Sequence, residues 1–116
     1  MQRRHRLSRS RDFDAVYRQG RSVSTRFLVL YWFKRDEEAG VDPRLGIAVP
    51  RRVGNAVVRN RIKRQLKEAW RARVETVPPG QDYVLVAREG LPEAAETRGG
   101  AWLEERIEEV LQKAAA

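Results

Sequence analysis

Arg59, Lys63, Lys67 and Arg71 recur at every fourth residue, with Asn60 and Arg64 beside them. At 3.6 residues per turn that spacing lays the four cations along one stripe of a helix. The surrounding stretch, Arg51 to Arg73 (RRVGNAVVRNRIKRQLKEAWRAR), holds seven arginines, two lysines and one acid, Glu68. Solvated helix faces normally mix signs, because like charges four apart repel by about 0.2–0.5 kcal/mol per pair. A row with so little acid to offset it suits an external polyanion that cancels the repulsion. Arginine also matches phosphate through its planar, two-pronged guanidinium. The chemistry indicated is phosphate recognition.

No catalytic set accompanies it. His5 is the only histidine and sits in an N-terminal basic arm, a poor place for a general base. There is no cysteine, which excludes disulfides, thiolate metal sites and cysteine nucleophiles. No Ser-His-Asp arrangement, P-loop or dinucleotide fingerprint is present. Asp12 and Asp14 are two apart and diverge on a helix. The other acids fall in the loop at 36–42, on the C-terminal helix, or scattered, so the converging carboxylates of a two-metal nuclease do not assemble. The protein itself is expected to bind no cofactor or metal, and any catalysis is expected from a partner.

The elements that must position the cations can be read from periodicity. Asn55 is an N-cap, with Pro50 and Gly54 marking the turn before it. Val58, Ile62, Leu66, Ala69 and Trp70 form an apolar stripe, so the spacing predicts a packed helix with a cationic outer face. Before it, a helix capped by Ser8 or Ser10 runs to Gln19 and stops at Gly20. Phe13, Val16 and Tyr17 share one face of it. They serve either as core packing or as accessible rings that stack on bases. Period-two alternation over Phe27–Phe33 predicts a central strand, preceded by a short strand at Ser22–Ser24. Leu45–Val49 is a second strand, expected to form an antiparallel hairpin with Phe27–Phe33 across the acidic loop Asp36–Arg44. Pro78, Pro79 and Gly80 break the chain. Tyr83–Ala87 then returns to the sheet beside Leu45–Val49 as a β-α-β unit. Arg88–Gly100 reads as loop. A last helix, Ala101–Lys113, turns Trp102, Leu103, Ile107, Val110 and Leu111 inward and Glu104, Glu105, Glu108 and Glu109 outward, as a structural cover.

At 116 residues, one domain over 1–116 is expected, with residues 1–7 as a flexible basic arm. The net charge of +8 is uneven: residues 1–73 carry 20 basic and 7 acidic side chains, residues 74–116 carry 4 and 9. That asymmetry is typical of a nucleic-acid surface. No apolar run approaches a membrane span and no apolar segment follows the N-terminal arginines, so neither a membrane nor a secretory signal is indicated. A cytoplasmic protein with no obligate protein partner is expected.

Gly54–Arg71 resembles the signature of the bacterial ribonuclease P protein subunit. Its core is Arg59-Asn60-Arg61 followed by Ile62-Lys63-Arg64, with the basic pair Arg51-Arg52 before the glycine. The likeness extends to Phe13…Val16-Tyr17-Arg18-Gln19-Gly20, to Leu28–Tyr31, to Leu45–Val49 and to Tyr83…Ala87-Arg88. It implies an α+β fold in the order αβββαβα around a small mixed four-stranded sheet. It also implies a left-handed β-α-β crossover, where the general rule gives a right-handed one. The implied function is the protein half of a ribonucleoprotein endonuclease that removes the 5′ leader of precursor tRNA, the RNA subunit with magnesium performing the hydrolysis. Carried onto this sequence, Arg51, Arg52, Asn55, Arg59, Asn60, Arg61, Lys63, Arg64, Lys67 and Arg71 would contact ribonuclease P RNA. Phe13, Tyr17, Tyr31 and Arg52 would line the cleft for the single-stranded leader. Composition alone leaves two rivals, a structural RNA-binding protein such as a ribosome component, and a DNA-binding module with the basic helix in a major groove.

Overall fold

The computed structural model describes residues 17, 18, 20–34 and 43–115. Within them run β1 (Arg21–Ser24), β2 (Leu28–Lys34), β3 (Arg44–Ala48), α1 (Ala56–Arg71), β4 (Gln81–Ala87), α2 (Leu91–Arg98) and α3 (Gly100–Ala115). Tyr17 and Arg18 are helical. The rest of the expected N-terminal helix, including Phe13 and Val16, the basic arm and most of the acidic loop lie outside the described residues.

The four strands form one mixed sheet in the order β1-β2-β4-β3. β2 pairs antiparallel with β1 and with β4, and β3 pairs parallel with β4. The β-α-β unit through α1 is therefore present, and β2 is an inner strand as its two apolar faces require. The expected β2–β3 hairpin is not: β4 lies between them. The reason is burial. Tyr83, Val84, Leu85 and Ala87 are each 3% exposed or less, and a strand apolar on both faces belongs inside a sheet.

Strand alternation sorts the sheet into two faces. Leu28, Leu30, Leu45, Tyr83, Leu85 and Ala87 join Ile62, Leu66, Ala69 and Trp70 of α1, Leu91 of α2, and Leu103, Ile107 and Val110 of α3 in one core. Trp70 anchors α1, its ring 5.3 Å from that of Tyr83. On the opposite face, fully buried Val84 is surrounded by half-buried Tyr31, Phe33, Ala48 and Val86. Asp82, 4% exposed, is the one buried charged residue among those described. Arg44 grips it with both prongs, Nε to Oδ1 at 2.8 Å and Nη2 to Oδ2 at 2.7 Å. That pair locks the start of β3 against β4.

The segment 88–100, expected as loop, contains α2. This helix is short and buries only Leu91 and Ala95, so it carries little periodicity. Its signals are at the ends: Pro92 in the first turn, where a missing N–H costs nothing, and Gly99 at the stop. α3 runs from Gly100 to Ala115, slightly longer than expected, with Trp102 and Leu111 only half-buried. Its acids do more than face solvent. Glu108 accepts a 2.7 Å hydrogen bond from Arg73, and Glu104 lies 3.6 Å from the same guanidinium, so α3 is pinned to the end of α1.

Tyr83 gives the fold an alkaline weakness. Its hydroxyl donates to Pro78 O at 3.0 Å, and burial pushes the phenol from 10.0 up to about 12. The folded state holds that proton more tightly than the unfolded chain does. Stability is therefore full below pH 10 and falls as pH rises from about 10 toward 12. Tyr83→Phe will flatten this dependence in denaturation midpoints measured across that window.

Candidate nucleic-acid interface

The approach to α1 is a single 3-10 turn, Arg51–Val53, following Pro50. Val53 is buried and fixes the turn, which leaves Arg51 and Arg52 exposed. Gly54 is extended at φ 169°, so its need is for space: a Cβ there would stand 2.7 Å from Val58 Cγ1. Asn55 caps α1 by accepting the Val58 N–H at 2.9 Å, as its sequence position predicts. Arg59 reaches back and donates from Nε to Gly54 O at 3.2 Å, stiffening the junction of turn and helix.

Along α1 the buried residues are Ile62, Leu66, Ala69 and Trp70, with Val58 half-buried at the edge of the stripe. Asn60, Arg61, Arg64 and Arg71 are exposed, while Arg59, Lys63 and Lys67 are half-buried on the flank. Long cationic side chains lie this way when their stems cover apolar surface and their heads reach water. Arg61 does not join that flank. It shares a groove on the other side with Gln65 and with Glu93 and Glu96 of α2.

The charges are largely uncompensated. Among the described residues no acid lies within ion-pair distance of Arg51, Arg59, Arg61, Lys63, Arg64 or Lys67. Arg71 has only Glu68 at 3.9 Å, and Arg52 has exposed Glu89 at 3.5 Å. Arg73 differs: its guanidinium is committed to Glu104 and Glu108, so the cationic surface ends at Arg71.

Of the aromatic residues expected in a cleft, Tyr17 and Tyr31 are in contact. Their ring centroids are 4.9 Å apart at 89°, edge to face. Tyr31 is half-buried on the sheet face opposite the helices, and Tyr17 is 40% exposed. Burial, and secondarily Tyr31, raise the Tyr17 phenol, so that ring stays neutral near pH 7. Phe13 lies outside the described residues. The carboxylates present do not fit a metal cage: no group of three or more His, Cys, Asp or Glu converges among the described residues, and Asp82 is held by Arg44.

A mixed sheet with α1, α2 and α3 on one face, and a row of cations without acidic partners on its crossover helix, defines a small α+β protein with a strongly cationic surface. The family model described as Ribonuclease P matches residues 1–115. The ribonuclease P protein component of Brevibacillus brevis is 42% identical over 91 residues, 78% of this chain and 71% of that protein. The Geobacillus thermodenitrificans component is 35% identical over 114 residues, 98% of this chain and 89% of that one. The structure of the RNase P protein from Thermotoga maritima superposes with a TM-score of 0.82 at 30% identity, covering 93% of this chain and 96% of that chain. The chain belongs to the bacterial ribonuclease P protein family. It is thus a protein component of the endoribonuclease that processes tRNA 5′ ends, associated with ribonuclease P RNA, in which catalysis resides.

Proposed function

We propose that the chain binds ribonuclease P RNA through the turn Arg51–Arg52 and the cations of α1, and grips the 5′ leader of precursor tRNA in the cleft of Tyr17 and Tyr31. The observation that carries this reading is that, among the described residues, Arg51, Arg59, Lys63, Arg64 and Lys67 have no acidic partner, a cationic surface that an RNA backbone would neutralise, with Arg61 likewise unpaired on the other side of α1. Asn55, Asn60 and Arg71 complete that surface. Aromatic rings suit a leader of variable sequence, since every base has a π-face to stack. Phe13 and Arg52 belong to the same leader track in this reading. The protein binds no cofactor of its own; magnesium is held by the RNA. The holoenzyme works in the cytoplasm, and among the described residues no helix is long and apolar enough to cross a membrane.

Tyr17→Ala tests the leader contact. One lost base stack is worth about 1–3 kcal/mol. The complex of protein and ribonuclease P RNA is therefore expected to bind precursor tRNA about tenfold more weakly, with mature tRNA unaffected. Equal losses for the two would contradict a leader contact.

A further inference from the structure

A second concave surface lies where the β1–β2 turn meets α2 and α3, a cleft of about 710 Å³. Its wall is aromatic. Phe27 and Trp102 meet edge to face, centroids 5.2 Å apart. Three guanidiniums lie over these rings: Arg26 at 5.2 Å from Phe27, and Arg98 and Arg106 at 5.8 and 5.4 Å from Trp102. The rim is held in place. Arg88 donates its backbone N–H to Phe27 O at 2.9 Å and its Nη1 to Thr25 O at 2.7 Å. Gly90, in the left-handed region at φ 90°, turns the chain into α2 beside Phe27.

Three arginines and three glutamates line the cleft, and two of the glutamates are engaged in ion pairs. Glu109 is engaged by Arg106 at 3.5 Å, and Glu89 by Arg52 on the cationic side. Among the described residues Arg26 and Arg98 have no ion pair or hydrogen bond, and Glu93 is the one glutamate of the lining not engaged by an arginine. The Arg106 Nε is buried without an acceptor. Guanidiniums only donate. A ligand for this place must be flat enough to lie on a guanidinium plane and must bring acceptor oxygens.

We propose that this cleft is a second site for single-stranded RNA, taking one nucleotide with its base on the Arg98–Trp102 stack and its phosphate on Arg26 and Arg98. Bases stack on arginine planes as well as on rings, and these guanidiniums already lie over Phe27 and Trp102. The inference rests on the reading that the chain works on RNA. Glu89 of the cleft lining pairs at 3.5 Å with Arg52 of the surface proposed above, so the two surfaces adjoin.

The test titrates the full chain with a ten-nucleotide oligouridylate and follows tryptophan emission. The signal of interest is the part that Trp102→Phe abolishes. The double variant Arg26→Ala, Arg98→Ala removes two exposed side chains, and its melting temperature checks that the fold is kept. It is expected to shift that signal about tenfold to higher RNA concentration and to lower the salt slope by about 1.4, two single-strand phosphate contacts. If no Trp102-dependent signal appears, or if the double variant leaves its midpoint and slope unchanged, the arginine stacks are packing only and the inference is overturned. The α1 triple variant described below, measured against ribonuclease P RNA in parallel, separates this failure from failure of the broader RNA reading.

Discussion

Replacing Arg59, Lys63 and Lys67 together by alanine will lower affinity for ribonuclease P RNA on the order of 100-fold. Each contact is worth roughly 1 kcal/mol or more net, and 1.4 kcal/mol is tenfold. The plot of log affinity against log salt will flatten by about 2, because each neutralised phosphate contributes about 0.7–0.9 to its slope. The fold loses the Arg59 Nε–Gly54 O hydrogen bond and some cover from the stems. Against that, these side chains have no acidic partner among the described residues, their mutual repulsion disappears, and alanine is the better helix former. Much weaker binding with a little-changed melting temperature is therefore the signature. Unchanged affinity and slope would show that the row is only a solvated face.

Trp70→Ala is expected to have the opposite signature. Trp70 is 2% exposed and joins α1 to β4 through Tyr83. Truncating a buried tryptophan to alanine costs about 3–5 kcal/mol, a large share of the roughly 5–15 kcal/mol that holds a domain together. The melting temperature should fall by about 10–20 °C. RNA binding should be lost only in proportion to the unfolded fraction, because every cation remains in place. Calorimetry and binding on the same variant distinguish the two cases. A stable Trp70→Ala protein would mean that α1 is seated by something other than this contact.

What could be read from the sequence was local. The phase of Ile62, Leu66, Ala69 and Trp70 gave α1 its buried side, and Asn55 and Gly54 gave it its start. The parallel partnership of β3 and β4 followed from the helix between them. The insertion of β4 between β2 and β3 did not, because period-two alternation says which face a residue takes but not which strand lies beside it. α2 was hidden for a different reason: eight residues with two buried side chains give almost no period, and its proline and glycines also read as loop. The surface divided in the same way. Cations four apart make a row in any helix, but the acids opposite them come from elsewhere in the chain. Hence the withdrawal of Arg73 by Glu104 and Glu108, and the separation of Arg61 toward Glu93 and Glu96, required the tertiary structure. The arginine–aromatic cleft draws on residues 26–27, 98, 102 and 106, and no linear motif joins them.

As the protein component of an RNA catalyst, this chain is expected to assist cleavage without cutting RNA itself. Cleavage of a precursor tRNA by a bacterial ribonuclease P RNA at low magnesium, with the protein, without it, and with the protein alone, decides the matter. The protein should restore cleavage at the mature 5′ end and be inert by itself. Cleavage by the protein alone, or RNA-driven cleavage that the protein leaves unchanged, would contradict it.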